Sequence, residues 1–476
     1  MQSRFGVGVL RGAAIAALLY VGCVGQSAAV PSFARQTGQE CPACHVSWPE
    51  LTPYGRYFKL TGYTIGKTFV SSEGFNYVPM AVMAQGSVTH ISNNTVTDPD
   101  TGDTSSAIQR QNSMVFSGGS LFLATKVNDY VGGFIQWTYD NLATRADGTL
   151  GGHSSIDNTD IRAVYKYSPS TEAAIPEWIF GVTLNNNPTM QDPWNSTPAW
   201  GYPYTSSPLA ITPAAATIID GGLAQQVAGL GVYAYWKKTL YMEFSDYRTA
   251  NVAGNVLRAG LPYKEPGGVL AITNFNPYWR LAYTYDWGVN SLMIGTYGMN
   301  VNVYPDNLDT STPTDRYRDA AVDAQYQYIT DQHTITAQTT YIWERTSYNA
   351  SYPQTQATGA GYGAGPTSDN PNDNMRTFKL KGSYYYDRMY GGSLAYFQTT
   401  GSADAGLYGT DANGNALSPN SNGFIAEIDY LPIQNVRLLL QYTGYGKFNG
   451  LRTNYDGTGR SAKDNDTLFF DIWLAF

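Results

Sequence analysis

The sequence predicts an all-β protein: an antiparallel outer-membrane β-barrel of about sixteen strands, with a small N-terminal helical segment acting as a plug. Three observations carry this expectation. Only 14% of the 476 residues are charged, while 38 are tyrosine and 49 glycine, a composition poor in helix formers, and no apolar run after residue 30 approaches the ~20 residues of a spanning helix. From Tyr77 to the end, short stretches alternate apolar or aromatic residues with small or polar ones, the period of a strand with two unlike faces. The connections between these stretches alternate long and short, as they do in barrels with tight turns on one side of a membrane and extended loops on the other.

Residues 1–29 read as an export signal. Arg4 and Arg11 give a positive end, Gly12 to Val24 an apolar stretch, and Ser27-Ala28-Ala29 a small-residue cleavage site. The mature chain would begin near Val30, and Cys23 would be lost with the signal. Cys41 and Cys44 are then the remaining cysteines. The net charge of -8 is spread without long runs, which argues against nucleic acid as a partner.

Residues 30–74 form the next unit, with Cys41-Pro42-Ala43-Cys44-His45 at its centre. C-x-x-C-H is the attachment signal for c-type haem: each thiol adds to one vinyl group, and the following histidine becomes the proximal iron ligand. The spacing suits one turn of helix. Two other readings stay open at this level, a redox-active thiol pair and half of a zinc site. Zinc would need two further ligands nearby, yet residues 46 to 76 hold no Cys, His or Met. A segment this short cannot bury a macrocycle by itself. The barrel must enclose the group.

Residues 75–476 form the barrel. The sixteen stretches run from 77–90, 112–126 and 130–140 to 435–446 and 466–476, with long connections at 91–111, 141–156 and 187–224 and minimal ones at 127–129 and Lys237. Parity turns Ile161, Ala163, Tyr165 and Tyr167 to lipid. It turns Arg162, Lys166, Arg280, Asp286, Asp323, Glu344, Lys379, Lys381, Glu427 and Asp429 to the lumen. A barrel of this size leaves room for a small folded plug, and an even strand number returns both chain ends to the periplasmic side.

Sorting the barrel methionines and histidines by face yields a candidate for the second axial ligand. On the first strand Val78, Met80, Val82, Ala84 and Val88 face outward, so Met83 faces the plug, tethered to the haem segment by a short stretch of chain. Met293 and Met299 also point inward without such a tether. His90 and His333 fall on outward parity, and His153 is expected in an outer loop. A thioether ligand would raise the haem potential.

The stretches Pro31-Ser32-Phe33-Ala34-Arg35-Gln36-Thr37-Gly38, Cys41 to His45, Pro49-Glu50-Leu51-Thr52-Pro53-Tyr54-Gly55-Arg56-Tyr57-Phe58-Lys59-Leu60 and Gly62-Tyr63-Thr64 resemble the outer-membrane fusions of a monohaem cytochrome c with a porin. These fusions serve as ferrous iron oxidases in iron-oxidising bacteria. The match is dense over residues 31–64, and the barrel is similar in size and architecture. The resemblance implies one covalent haem c on Cys41, Cys44 and His45. It implies an oxidoreductase that takes electrons from extracellular Fe(II) and passes them to a periplasmic cytochrome c or cupredoxin. The outer loops show no cluster of carboxylates or histidines to hold iron, so outer-sphere electron transfer is expected, with no acid, base or nucleophile. Aromatic residues of the longest loop, Trp194, Trp200, Tyr202 and Tyr204, are candidates to line an approach to the haem or to pack over the barrel mouth. Two other functions fit the same residues: a transport channel plugged by the haem segment, and a haem-based peroxide or gas sensor with an open distal position.

Overall fold

The computed structural model describes residues 32–98, 101–144, 150–169, 176–265 and 268–476. The expected export signal lies outside the described residues. Each of the sixteen expected stretches carries a strand: β1 (Met80–Ile91), β2 (Val115–Lys126), β3 (Val131–Thr144), β4 (Leu150–Tyr167), β5 (Trp178–Asn185), β6 (Val227–Trp236), β7 (Leu240–Thr249), β8 (Asn276–Trp287), β9 (Asn290–Val303), β10 (Asp315–Ile329), β11 (His333–Ser347), β12 (Asn372–Tyr386), β13 (Tyr390–Gly401), β14 (Ser421–Ile433), β15 (Val436–Lys447) and β16 (Thr467–Ala475). Each pairs antiparallel with its neighbours in the chain. The sheet closes where β16 meets β1, from Leu468 opposite His90 to Ala475 opposite Met83.

Alternation decides which face is which. Outward side chains are apolar and open to the surroundings: Leu394 and Ile428 are each 69% exposed and Tyr165 57%. At the short-turn end the outward belt turns aromatic, with Trp178 stacked on Trp236 at 5.7 Å, Tyr285 on Trp287 at 5.2 Å and Tyr390 on Tyr430 at 5.1 Å. An apolar band edged by aromatic rings is the outer surface of a membrane-spanning barrel. Closure satisfies the backbone groups that lipid cannot bond.

On the inward face tyrosine and glycine are used in pairs. Tyr233 lies opposite Gly181, Tyr247 opposite Gly229 and Tyr385 opposite Gly391. In each case a β-carbon on the glycine would meet the ring at 2.2 Å or less. The rings lie flat across the neighbouring strand and fill the lumen wall, an arrangement that glycine alone permits. The inward charges follow parity as expected: Arg162, Arg280, Asp323, Glu344, Lys381, Glu427 and Asp429 are all buried, and Lys166 reaches inward to Thr64.

Two expectations about connections are overturned. The long loop expected at 141–156 is largely strand, because β3 continues to Thr144 and β4 begins at Leu150. His153 accordingly sits on β4 opposite Asp140, not in a loop. The cause is polar alternation: Asp140, Ser154 and Ser155 extend the ladder without an apolar face to announce it. The connection after β5 does not lie outside the barrel. Residues 185–197 are buried throughout, and the rest of the segment crosses the lumen. Its Thr205 and Ser207 bond Gln85 and Thr89 on β1, and Asp220 pairs with Lys379 on β12 at 2.8 Å.

Candidate functional site

The segment before β1 folds inside the barrel at its short-turn mouth, as three short helices: α1 (Ser32–Thr37), α2 (Cys41–Cys44) and α3 (Pro53–Leu60). C-x-x-C is one helical turn, opened by Pro42 at its first positions and left at His45, which is extended and pairs with Leu51. Thr52 joins the two helices. Its hydroxyl accepts from the Gly55 amide at 3.2 Å and donates to the Ala43 carbonyl at 2.6 Å, while its amide donates to the Cys44 carbonyl at 2.9 Å. A β-carbon on Gly55 would stand 2.2 Å from the Cys44 oxygen. Glycine is therefore required for α3 to pack on the end of α2.

Buried polar contacts fix this plug to the wall. Glu50 pairs with Lys381 on β12 at 2.5 Å, their side chains 1% and 3% exposed. Arg56 donates to Ser291 at 2.7 Å and to Gln327. Lys59 donates to the Met190 and Asp192 carbonyls and the Asn195 side chain at 2.7–2.8 Å, and stands 4.5 Å over Trp200. Burial, reinforced by the Arg162 guanidinium, pushes Lys59 down to about 7. Arg162 on β4 donates to the Lys59 and Gln191 carbonyls at 3.1 and 2.7 Å and lies between the rings of Tyr63 and Tyr233. Asn195 donates to the Pro49 carbonyl at 2.9 Å. The inward loop and the plug thus hold each other.

Three cavities follow one another through the lumen. The first, about 400 Å³ at the short-turn mouth, is lined by Cys41, His45 and Trp48 and by the turns that carry Asp331, Met389 and Gln434. The second, about 560 Å³ between plug and inward loop, is lined by His45, Trp48, Met83, Trp200, Tyr204 and Trp473 among others. The third, about 390 Å³, lies beyond the loop, against Tyr202, Gln338, Lys379 and Tyr445. His45 and Trp48 stand between the first and second; Gly201 and Pro203 stand between the second and third. All three fall in the ~300–1,000 Å³ range of cofactor and ligand sites.

The residues present suit a c-type haem. Cys41 and Cys44 form no disulfide, one helical turn sets them side by side, and burial pushes their thiols up to about 11 and about 12. Burial also pushes His45 down to about 4, which keeps the imidazole in the neutral form that binds metal. Its Nδ1 is buried without a hydrogen-bond partner. Of the expected site residues, Cys41 and His45 share the first cavity, and His45 and Met83 share the second; Cys44 lines neither. Met293 and Met299 face inward but sit in the packed wall core. His90 and His333 lie exposed, beside Asn112 at 3.0 Å and Tyr384 at 2.9 Å.

Sequence reasoning missed Met389, because methionines were sorted by strand face and this one lies in a turn. It also missed the inward course of the loop after β5. The signal available there was the near absence of charge in that loop, which suits burial.

No protein-family model matches the chain, and no curated protein matches it. Among solved structures it is similar to the outer membrane channel DcaP of Acinetobacter baumannii, with 14% identity over 86% of this chain and 99% of that one and a TM-score of 0.42. It is similar to Salmonella typhi OmpF in complex with daunomycin (14% identity, 83% and 97% covered, TM-score 0.43). It is also similar to OprB of Pseudomonas putida (8% identity, 83% and 94% covered, TM-score 0.45).

Proposed function

We propose that the chain is an outer-membrane electron-transfer protein, a barrel whose lumenal plug carries one covalent haem c on Cys41, Cys44 and His45. The apolar band and aromatic belt support a membrane location, and barrels of this kind turn their short connections to the periplasm. When bound, the haem supplies a one-electron redox centre between an extracellular donor, Fe(II), and a periplasmic cytochrome c or cupredoxin. The chain's own residues do the rest. Glu50, Arg56 and Lys59 hold the plug against the wall, and the inward loop caps it on the outer side.

The observation that carries this reading is the joint lining of one cavity by Cys41 and His45, at the mouth that a periplasmic carrier would meet. Met83, across the second cavity from the plug, shares that cavity with His45, as Met389 shares the first. Purified holoprotein mixed anaerobically with ferrous iron is expected to show reduced-haem absorption bands. Absence of reduction at every pH tried would sink the assignment of Fe(II) as donor.

A second reading, a plugged transport channel, is favoured by the succession of three cavities along the lumen of a closed sixteen-stranded barrel. It predicts solute-dependent conductance that survives replacement of Cys41 and Cys44 by Ala.

A further inference from the structure

We infer that Met389, in the turn between β12 and β13, is the distal ligand of the haem held by Cys41, Cys44 and His45, and that Met83 is not; this rests on the haem reading above. A macrocycle bonded to a C-x-x-C-H segment lies against thiol and imidazole together, because both attach from the same side. The cavity at the short-turn mouth touches Cys41 and His45, and Met389 lines it. The larger cavity touches His45 and Met83 but neither thiol. Of the three motif residues only His45 reaches both spaces, so the thiol decides between them.

The turn that carries Met389 is bonded directly to the motif. Arg388 donates to the carbonyl of Pro42, which lies between the two cysteines, at 2.6 Å. On the next turn Gln434 accepts from the Cys41 amide at 3.2 Å. Met389 has little backbone freedom of its own: its amide donates to the Tyr386 carbonyl at 3.0 Å and its carbonyl accepts from Leu431 at 2.8 Å. Motif and turn therefore form one unit, and the thioether sits on the barrel side of the same cavity. The charged residues lining it are Asp331, Asp387 and Arg388. The carboxylates are hard donors and the guanidinium has no lone pair to give, whereas a thioether is soft and stabilises ferrous haem.

The test compares wild-type holoprotein with Met389→Ala, Met83→Ala and Met389→His. Each is reduced, exposed to carbon monoxide and followed by absorption, with a redox titration alongside. Wild type and Met83→Ala are expected to bind no carbon monoxide. Met389→Ala is expected to bind one per haem, and Met389→His to stay six-coordinate with a lowered midpoint potential. Carbon monoxide uptake by Met83→Ala alone, or by neither alanine variant, would overturn the assignment. If Met389→Ala fails to assemble, an unchanged potential in Met389→His overturns it equally. Failure of the haem reading itself has a separate signature: wild-type protein exported with intact maturation carries no covalent haem.

Discussion

Replacing Lys381 by Met should release the plug. Lys381 is the cation paired with Glu50 at 2.5 Å, and it also donates to Tyr204 at 2.6 Å. Without it, Glu50 keeps only contacts of 3.4 Å to Ser383 and Tyr204, and its second oxygen already lacks a partner. Breaking a buried pair on one side costs roughly 3–5 kcal/mol. The lower end of that range corresponds to a roughly 150-fold change in the ratio of open to closed barrels. The assay is open probability in planar bilayers. The Lys381→Met variant is expected to open far more often than wild type at pH 7. Adding Glu50→Gln should restore closure to within ~1 kcal/mol of wild type, since no charge is then left unpaired. Refutation would be an opening at pH 7 that exceeds wild type by only a few-fold.

Two further predictions concern the plug itself. Lys59 titrates near 7 in the fold and ~10.4 in a free chain, so the docked state binds fewer protons between these values and is favoured as pH rises through that window. Protection of the plug from protease added at the short-turn side should therefore increase from pH 7 towards 10 in wild type; Lys59→Met should show weaker protection, by ~1–3 kcal/mol for its abandoned acceptors, and no such slope. Gly55→Ala places a β-carbon 2.2 Å from the Cys44 oxygen, and overpacking of this kind costs ~1–3 kcal/mol. Less covalent haem per polypeptide is expected, and full haem content with an unchanged melting temperature would contradict the packing argument.

The barrel was legible because period-2 alternation is a local property. Tyr165 faces outward and Arg162 inward whatever the rest of the chain does, and a terminal strand such as Leu468 to Phe476 shows its two faces directly. Alternation became invisible where both faces are polar, which is why β4 runs back to Leu150 through a stretch that reads as loop. The motif Cys41 to His45 was equally local, since one helical turn is enough to set its thiols together. Met83 was correctly turned towards the plug by parity, yet parity does not say which cavity the thiols share.

From the chain alone, then, came the strand number, the inward and outward faces and the three motif residues, all of which depend on neighbours a few positions apart. Tertiary structure alone decided the course of the loop after β5, the seating of Glu50 on Lys381 and the meeting of Pro42 with Arg388. Those contacts join residues more than a hundred positions apart. They arise because closing the barrel leaves a lumen whose buried charges must each find a partner, a condition no local pattern records.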